Sequence, residues 1–188
     1  MRNDTSQLYD RLLILRCQAG DELALAELIA RYSPRVRFFL KRLTDESAAD
    51  DLLQEVWFDV YRKIPRLARP AAFSTWLYRI ARDKAYGALR KRRPARRAFA
   101  DQELAEVPAV AEPEFSLEDA EQIRGAMDDL PAEQKEVLLL RFVEGLSYEQ
   151  IADVIASPMG TVRSRIHYAK LAMKLKLERF ALEKEIES

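Results

Sequence analysis

Leu146-Ser147-Tyr148-Glu149-Gln150-Ile151-Ala152-Asp153-Val154-Ile155-Ala156-Ser157-Pro158-Met159-Gly160-Thr161-Val162-Arg163-Ser164-Arg165-Ile166-His167 is the stretch whose reading decides the fold. Ser147 is placed to cap a helix, with Gln150 reaching back as in a capping box. Ile151, Ala152, Val154 and Ile155 give that short helix one apolar face. Ser157 then caps a second helix and Pro158 opens it. Val162, Ile166, Ala169, Met173 and Leu177 recur at spacings of four, three, four and four, so one side of the second helix is apolar. Its other faces carry Thr161, Arg163, Ser164, Arg165, His167, Tyr168, Lys170 and Lys174. Two short helices joined by a tight turn form a helix-turn-helix, whose second helix suits the major groove of DNA. Gly160 leaves room for a phosphate near the free N–H groups of the first turn. From Gly160 to Arg179 there are six basic residues and one acidic residue, Glu178. On this reading Arg163 and Arg165 reach base edges or phosphates, and Lys170 and Lys174 meet the backbone.

Working toward the N-terminus, Pro131 suits the first turn of another helix, with Glu133 and Glu136 near its positive end. That helix carries Val137, Leu138, Leu140 and Phe142 and stops near Glu144-Gly145. Ser116-Leu117-Glu118-Asp119 looks like an earlier helix start. Between Ala98 and Pro113 the chain is acidic, rich in Ala, Val and Pro, and lacks large apolar residues at helical spacing; this reads as a solvated, flexible linker over 96–115. The first half is helical again. Leu8, Leu12 and Leu15 give one stripe; Leu25, Leu28, Ile29, Tyr32, Val36, Phe39 and Leu43 a second; Leu53, Trp57, Val60 and Ile64 a third; Phe73, Trp76, Leu77 and Ile80 a fourth. No period-two strand pattern competes with them. The expectation is an all-α protein: two small helical domains, 1–95 and 116–188, joined by a flexible linker, the second containing the helix-turn-helix.

The bulk numbers agree. The chain has 188 residues, 48% hydrophobic and 33% charged, as a folded protein requires. Net charge is zero, but it is unevenly spread: residues 1–97 carry +9, residues 98–121 carry −8 and residues 122–188 carry −1. A basic first half fits a polyanionic partner. One cysteine, Cys17, and one histidine, His167, exclude an internal disulfide and a Cys/His zinc site. Cys17, in a leucine-rich pattern, reads as a small buried hydrophobe. No cofactor is expected, since no Gly-rich nucleotide loop or carboxylate cluster built for metal is present. Apolar runs such as Val137 to Leu140 fall far short of the roughly 20 residues of a membrane span, and the N-terminus does not read as a signal peptide. The expectation is a cytoplasmic protein without stable membrane insertion.

Asp129-Leu130-Pro131, Leu138-Leu139-Leu140-Arg141-Phe142, Leu146 to Ala152 and Pro158 to His167 together resemble the promoter-upstream-box domain of extracytoplasmic-function (ECF) sigma factors, bacterial RNA polymerase subunits of transcription initiation. The first half resembles the same family: Ala19-Gly20-Asp21-Glu22, Ala26-Glu27-Leu28 and Tyr32 its start, Ala49 to Trp57 its polymerase-binding helix, and Phe73 to Arg82 the helix that holds the promoter's downstream box and helps open the duplex. The resemblance covers nearly the whole chain, in the family's order. It implies a non-enzymatic protein directing promoter-specific initiation, in many members for a stress or envelope-signal regulon. The implied partners are core RNA polymerase (the coiled coil of its largest subunit and the flap of its second-largest subunit), promoter DNA and, in some members, an anti-sigma factor. Ala156 departs from the family's usual Gly in the turn, and Asp83 from its frequent Asn.

The residues read from below fit these roles. Asp51, Gln54, Glu55, Phe58 and Arg62 share the polar side of the third stripe's helix. An aromatic in the middle of that side suits a partner better than the domain's own core. On the Phe73 to Arg90 helix, Thr75, Arg79, Arg82, Asp83, Tyr86 and Arg90 lie opposite the buried stripe, with Arg69 in the loop before it. Cations that track phosphates beside a ring that stacks on a base suit a single strand. Trp76 is expected to pack in the core. Ser157 and Gly160 join the helix-turn-helix contacts. An ordinary helix-turn-helix regulator would explain Ser147 to Lys174 equally well, but not Phe58 or the basic-aromatic face. A helical nucleic-acid enzyme lacks the residues for its chemistry.

Overall fold

The computed structural model describes residues 4–92, 127 and 130–186. The proposed linker, the boundaries at 95 and 116, and the helix start at Ser116 lie outside the described residues. Within them every regular element is helical, as the apolar spacings predict.

Four helices build the first unit. Helix α1 (Asp4–Gln18) turns at Gly20, whose φ of +87° is open to glycine without strain. Helix α2 (Glu22–Leu43) starts there because the Asp21 carboxylate accepts from the Leu23 and Ala24 N–H groups at 3.0 and 3.1 Å. Asp45 likewise caps α3 (Glu46–Lys63), accepting from Ala48 N–H at 2.9 Å. Two short 3₁₀ turns, Ile64–Arg66 and Pro70–Ala72, lead into α4 (Phe73–Arg92). Leu13, Leu28, Val36, Phe39, Val56, Val60, Phe73, Leu77 and Tyr78 fill the centre. Tyr32 meets Phe73, and Phe39 meets Tyr78, edge to face with ring centroids 5.3 Å apart, the geometry that the ring quadrupoles favour.

The α1 stripe is a correction. Leu8, Leu12 and Leu15 are exposed, and the buried face is Asp10, Leu13, Ile14 and Cys17. Both sets satisfy helical spacing. The choice falls to the set with Asp10 because its carboxylate is supported inside: Arg31 Nε lies 3.0 Å from it and the Tyr32 hydroxyl donates to it at 2.7 Å. A carboxylate with two such partners is tolerated where an unpaired one is not.

In the second unit, α5 (Ala132–Leu138) begins after Pro131 and continues as one π-helical turn, Leu139–Val143. Ser147 and Gln150 form the expected capping box at the start of α6 (Tyr148–Ile155). Ala156 then adopts φ 51°, ψ 46°. The turn is therefore built as the family's glycine would build it, and the β-carbon carries about 1–2 kcal/mol of left-handed strain. Helix α7 (Met159–Ile186) follows. Val162, Ile166, Ala169 and Met173 are buried along it, as their spacing requires. Phe142, placed with the apolar face of α5, is instead exposed and lies under the Lys170 ammonium, 5.0 Å from its ring centre.

Candidate nucleic-acid and polymerase interfaces

The polar face of α3 stands open. Asp51, Gln54, Glu55, Phe58 and Arg62 are all exposed. Phe58 leaves 60% of its surface in solvent, and the Arg62 guanidinium lies over its ring at 5.6 Å. Tyr61 is exposed to the same extent, next to Phe58 in the sequence pattern at i+3. Sequence reasoning missed it, although two aromatics three apart outside the apolar stripe were the available signal. Lys84 of α4 reaches back to Glu55 and Asp59 at 3.1 and 3.5 Å. These carboxylates therefore tie α3 to α4, and Asp59 is held below the usual carboxylate range by its lysine neighbours, Lys63 and Lys84.

The α4 candidates divide. Arg69, Arg79, Asp83 and Arg90 are exposed. Thr75 is a correction: it is buried, not opposite the buried stripe. It lies about one turn before the buried Tyr78, on a face where α4 meets its neighbours, so the apolar arc of this helix is wider than the four-residue stripe predicts. Trp76 packs against the core. Arg82 and Tyr86 form a stacked pair, guanidinium 4.6 Å from ring centre. Both engage Glu136 of α5: Arg82 Nε lies 2.6 Å from its carboxylate, and the Tyr86 hydroxyl donates to it at 3.0 Å. Glu136 is fully buried. Burial pushes its carboxyl up to about 7, against the pull of Arg82, Tyr86 and Arg165. Burial, and after it the adjacent negative charge of Glu136, push the Tyr86 phenol up as well. Glu136 was read as a helix-start residue only; nothing in local sequence marks a residue whose partners sit on another unit.

On the helix-turn-helix, Arg163 and Lys174 are exposed, and Ser157, Thr161, Arg165, His167 and Tyr168 are half-buried. A β-carbon built on exposed Gly160 would meet nothing within 4 Å. The protein's own packing therefore does not require glycine there. Two candidates are corrections. Ser164 is buried, and its hydroxyl donates to the Thr161 carbonyl at 3.1 Å. Lys170 is buried at 3% exposure under its Phe142 contact. Both fall beside the Val162–Ile166–Ala169 arc, where the helix is seated on α5 and α6, so neither faces solvent.

This is an all-helical architecture in two parts, the second built around a helix-turn-helix, and comparison with known proteins gives it a family. Residues 28–95 match the Sigma-70 region 2 family model and residues 120–173 the Sigma-70 region 4 model. The ECF RNA polymerase sigma-E factor of Haemophilus influenzae is 37% identical over 183 residues, covering 92% of this chain and 97% of that one. The sigma-E factor of Escherichia coli K12 is 33% identical over 186 residues, covering 93% and 97%. Among solved structures, CnrH in complex with the cytosolic domain of CnrY superposes with TM-score 0.67 at 23% identity over 91% of this chain and 98% of that one. The sigma factor RpoE, in complex with the anti-sigma factor NepR from Bartonella quintana, superposes with TM-score 0.64 at 24% identity over 81% and 96%. The chain belongs to the ECF sigma factors of bacterial RNA polymerase. As such it is a non-enzymatic factor that directs transcription initiation. No helix among the described residues is long and apolar enough to cross a membrane.

Proposed function

We propose that the chain docks on core RNA polymerase through the exposed face of α3, with Phe58 as the anchor and Asp51, Gln54, Glu55 and Arg62 around it, against the coiled coil of the largest subunit. The observation that carries this is Phe58 itself: a large ring 60% exposed amid charged side chains lies mostly outside its own core and is placed as a central interface residue is. Helix α4 holds the opened downstream box, with Arg79, Arg82 and Arg90 along the phosphates, Tyr86 offering a stacking face, and Arg69 and Asp83 at the margins. Helix α7 enters the major groove of the upstream box with Arg163 and Arg165, while Ser157, Gly160, Thr161, His167, Tyr168 and Lys174 meet the groove edges and phosphates. The second unit rests on the flap of the second-largest subunit. The setting is the cytoplasm, the regulon one of stress or envelope signals, and an anti-sigma factor the kind of partner that would restrain it.

Two weak DNA-binding modules gain selectivity only when something holds them at a fixed separation, by effective concentration; the polymerase supplies that. The ordinary-regulator reading leaves the exposed Phe58–Tyr61 pair without a purpose. Affinity capture of core polymerase by wild-type, Gln54→Ala and Phe58→Ala proteins tests the proposal. Loss of capture by correctly folded variants supports it; undiminished capture by Phe58→Ala refutes the α3 assignment.

A further inference from the structure

We infer that the bare backbone at Gly87 is a contact point for DNA: one sugar–phosphate unit of the promoter lies against α4 there, its deoxyribose on the glycine and its phosphate turned toward Arg90 and Lys91. This rests on the reading of α4 as the strand-binding helix and adds where on that helix the strand comes closest.

Gly87 has no reason inside the chain. The described residues include four glycines. Gly20 and Gly145 stand at positive φ, which suits glycine. Gly160 stands in the first turn of α7, at the groove. Gly87 does neither. It lies inside α4, five residues before the last helical residue, Arg92, and its φ is not positive. Proline apart, glycine is the least favourable residue for a helix interior. Tight packing is the ordinary reason to keep one, and α4 shows what that looks like: Ala81 and Ala85 are small where the helix is fully buried. At Gly87 a β-carbon would meet nothing within 4 Å. Neither α3 nor the second unit requires the missing side chain.

The requirement therefore comes from a partner. Residues three and four apart share a helix face. Asp83 lies one turn before Gly87, Arg90 and Lys91 one turn after it, and all three are exposed. Tyr86, paired with Arg82, is its neighbour in the chain. Gly87 is a gap in this row of polar side chains, at the edge of the face read as strand-binding. A partner can come down to the helix backbone in such a gap, which is the use of glycine at a close approach. The surrounding charges set the partner's orientation. Asp83 repels a phosphate, while Arg90 and Lys91 attract one. An uncharged deoxyribose fits the gap between them, with its phosphate on the cationic side.

Gly87→Ala and Gly87→Leu test this, because both residues favour a helix more than glycine does. In the free full-length protein the melting temperature rises by about 2–4 °C. In reconstituted holoenzyme promoter opening, followed by permanganate reactivity of unpaired thymines, falls about tenfold for alanine and further for leucine, because the added atoms hold the strand off the helix. Capture of core polymerase stays at the wild-type level. Wild-type holoenzyme shields a deoxyribose from hydroxyl radicals that Gly87→Leu leaves open. Promoter opening by Gly87→Leu at the wild-type rate overturns the proposal. A fall in melting temperature also overturns it, since Gly87 would then serve the chain's own packing. So does a loss of core capture in step with opening, which would place Gly87 in the polymerase interface. The reading beneath the proposal is checked separately by Arg82→Ala and Tyr86→Ala in the same holoenzyme. If these variants open promoter DNA as wild type does, α4 is not the strand-binding helix; if they fail to, that reading stands whatever the Gly87 variants do.

Discussion

The Glu136 carboxylate lies 2.6 Å from the Arg82 guanidinium and is sealed from solvent, while Arg82 keeps about a fifth of its own surface exposed. A surface ion pair is worth little. Burial does not make this one stronger: the cost of desolvating the acid outweighs the pull of Arg82 and lifts the Glu136 carboxyl.

A pH dependence follows. The carboxyl of Glu136 is raised from 4.5 to about 7 in the folded chain. A raised acid binds its proton more tightly folded than unfolded, so its contribution is fully present below pH 4.5 and is lost as pH rises through 7. The size is roughly 3 kcal/mol across that window. Thermal unfolding between pH 5 and pH 8 should show a falling midpoint, and Glu136→Gln, which keeps the neutral form at every pH, should flatten that slope. A midpoint that rises with pH over this interval contradicts the assignment.

Phe58→Ala should weaken polymerase binding by about 2 kcal/mol or more, roughly thirtyfold, as truncation of a central interface aromatic does. Its melting temperature should stay close to wild type, because the ring is mostly in solvent. Tyr61→Ala should show a smaller loss in the same titration, since Tyr61 lies at the edge of the charged face.

Ala156→Gly relieves the left-handed strain in the helix-turn-helix turn. The expected gain is about 1 kcal/mol, or roughly 2–4 °C in a chain of this size. Ser147→Ala acts in the opposite direction, removing one half of the capping box at a cost of about 1 kcal/mol. Differential scanning calorimetry of the two single variants and the pair reads both effects.

Arg163→Ala and Lys174→Ala separate two kinds of DNA contact. Loss of a base-edge contact by Arg163 should cost about 1–3 kcal/mol and relax preference at one promoter position. Loss of a phosphate contact by Lys174 should weaken all sequences alike and reduce the salt slope by about one. Transcription from single-base promoter variants at several salt concentrations distinguishes them. Lys170→Ala should instead act on stability, because Lys170 is buried over Phe142.

Legibility in the sequence tracked the range of the interactions. The Ser147–Gln150 capping box is local, and residues three apart announce it. The Val162–Ile166–Ala169–Met173 arc is set by helical repeat alone. Phe58 stands out because its neighbours are charged. Where two faces of one helix both satisfy the repeat, as Leu8–Leu12–Leu15 and Asp10–Leu13–Ile14–Cys17 do, the choice depends on Arg31 and Tyr32 of the next helix. No spacing rule contains that. The same limit hid the burial of Thr75, Ser164 and Lys170. Glu136 is the clearest case: its neighbours in sequence make it a good helix-start acid, and its partners lie on another unit.

The most direct measurement is run-off transcription by purified core polymerase on a library of random promoters, with and without this protein. The account predicts that the protein selects templates carrying two short sequence blocks at one fixed separation, and that without core it retains none of them. Transcripts no more selective than those of core alone, or retention of the same templates by the protein by itself at physiological salt, would contradict it.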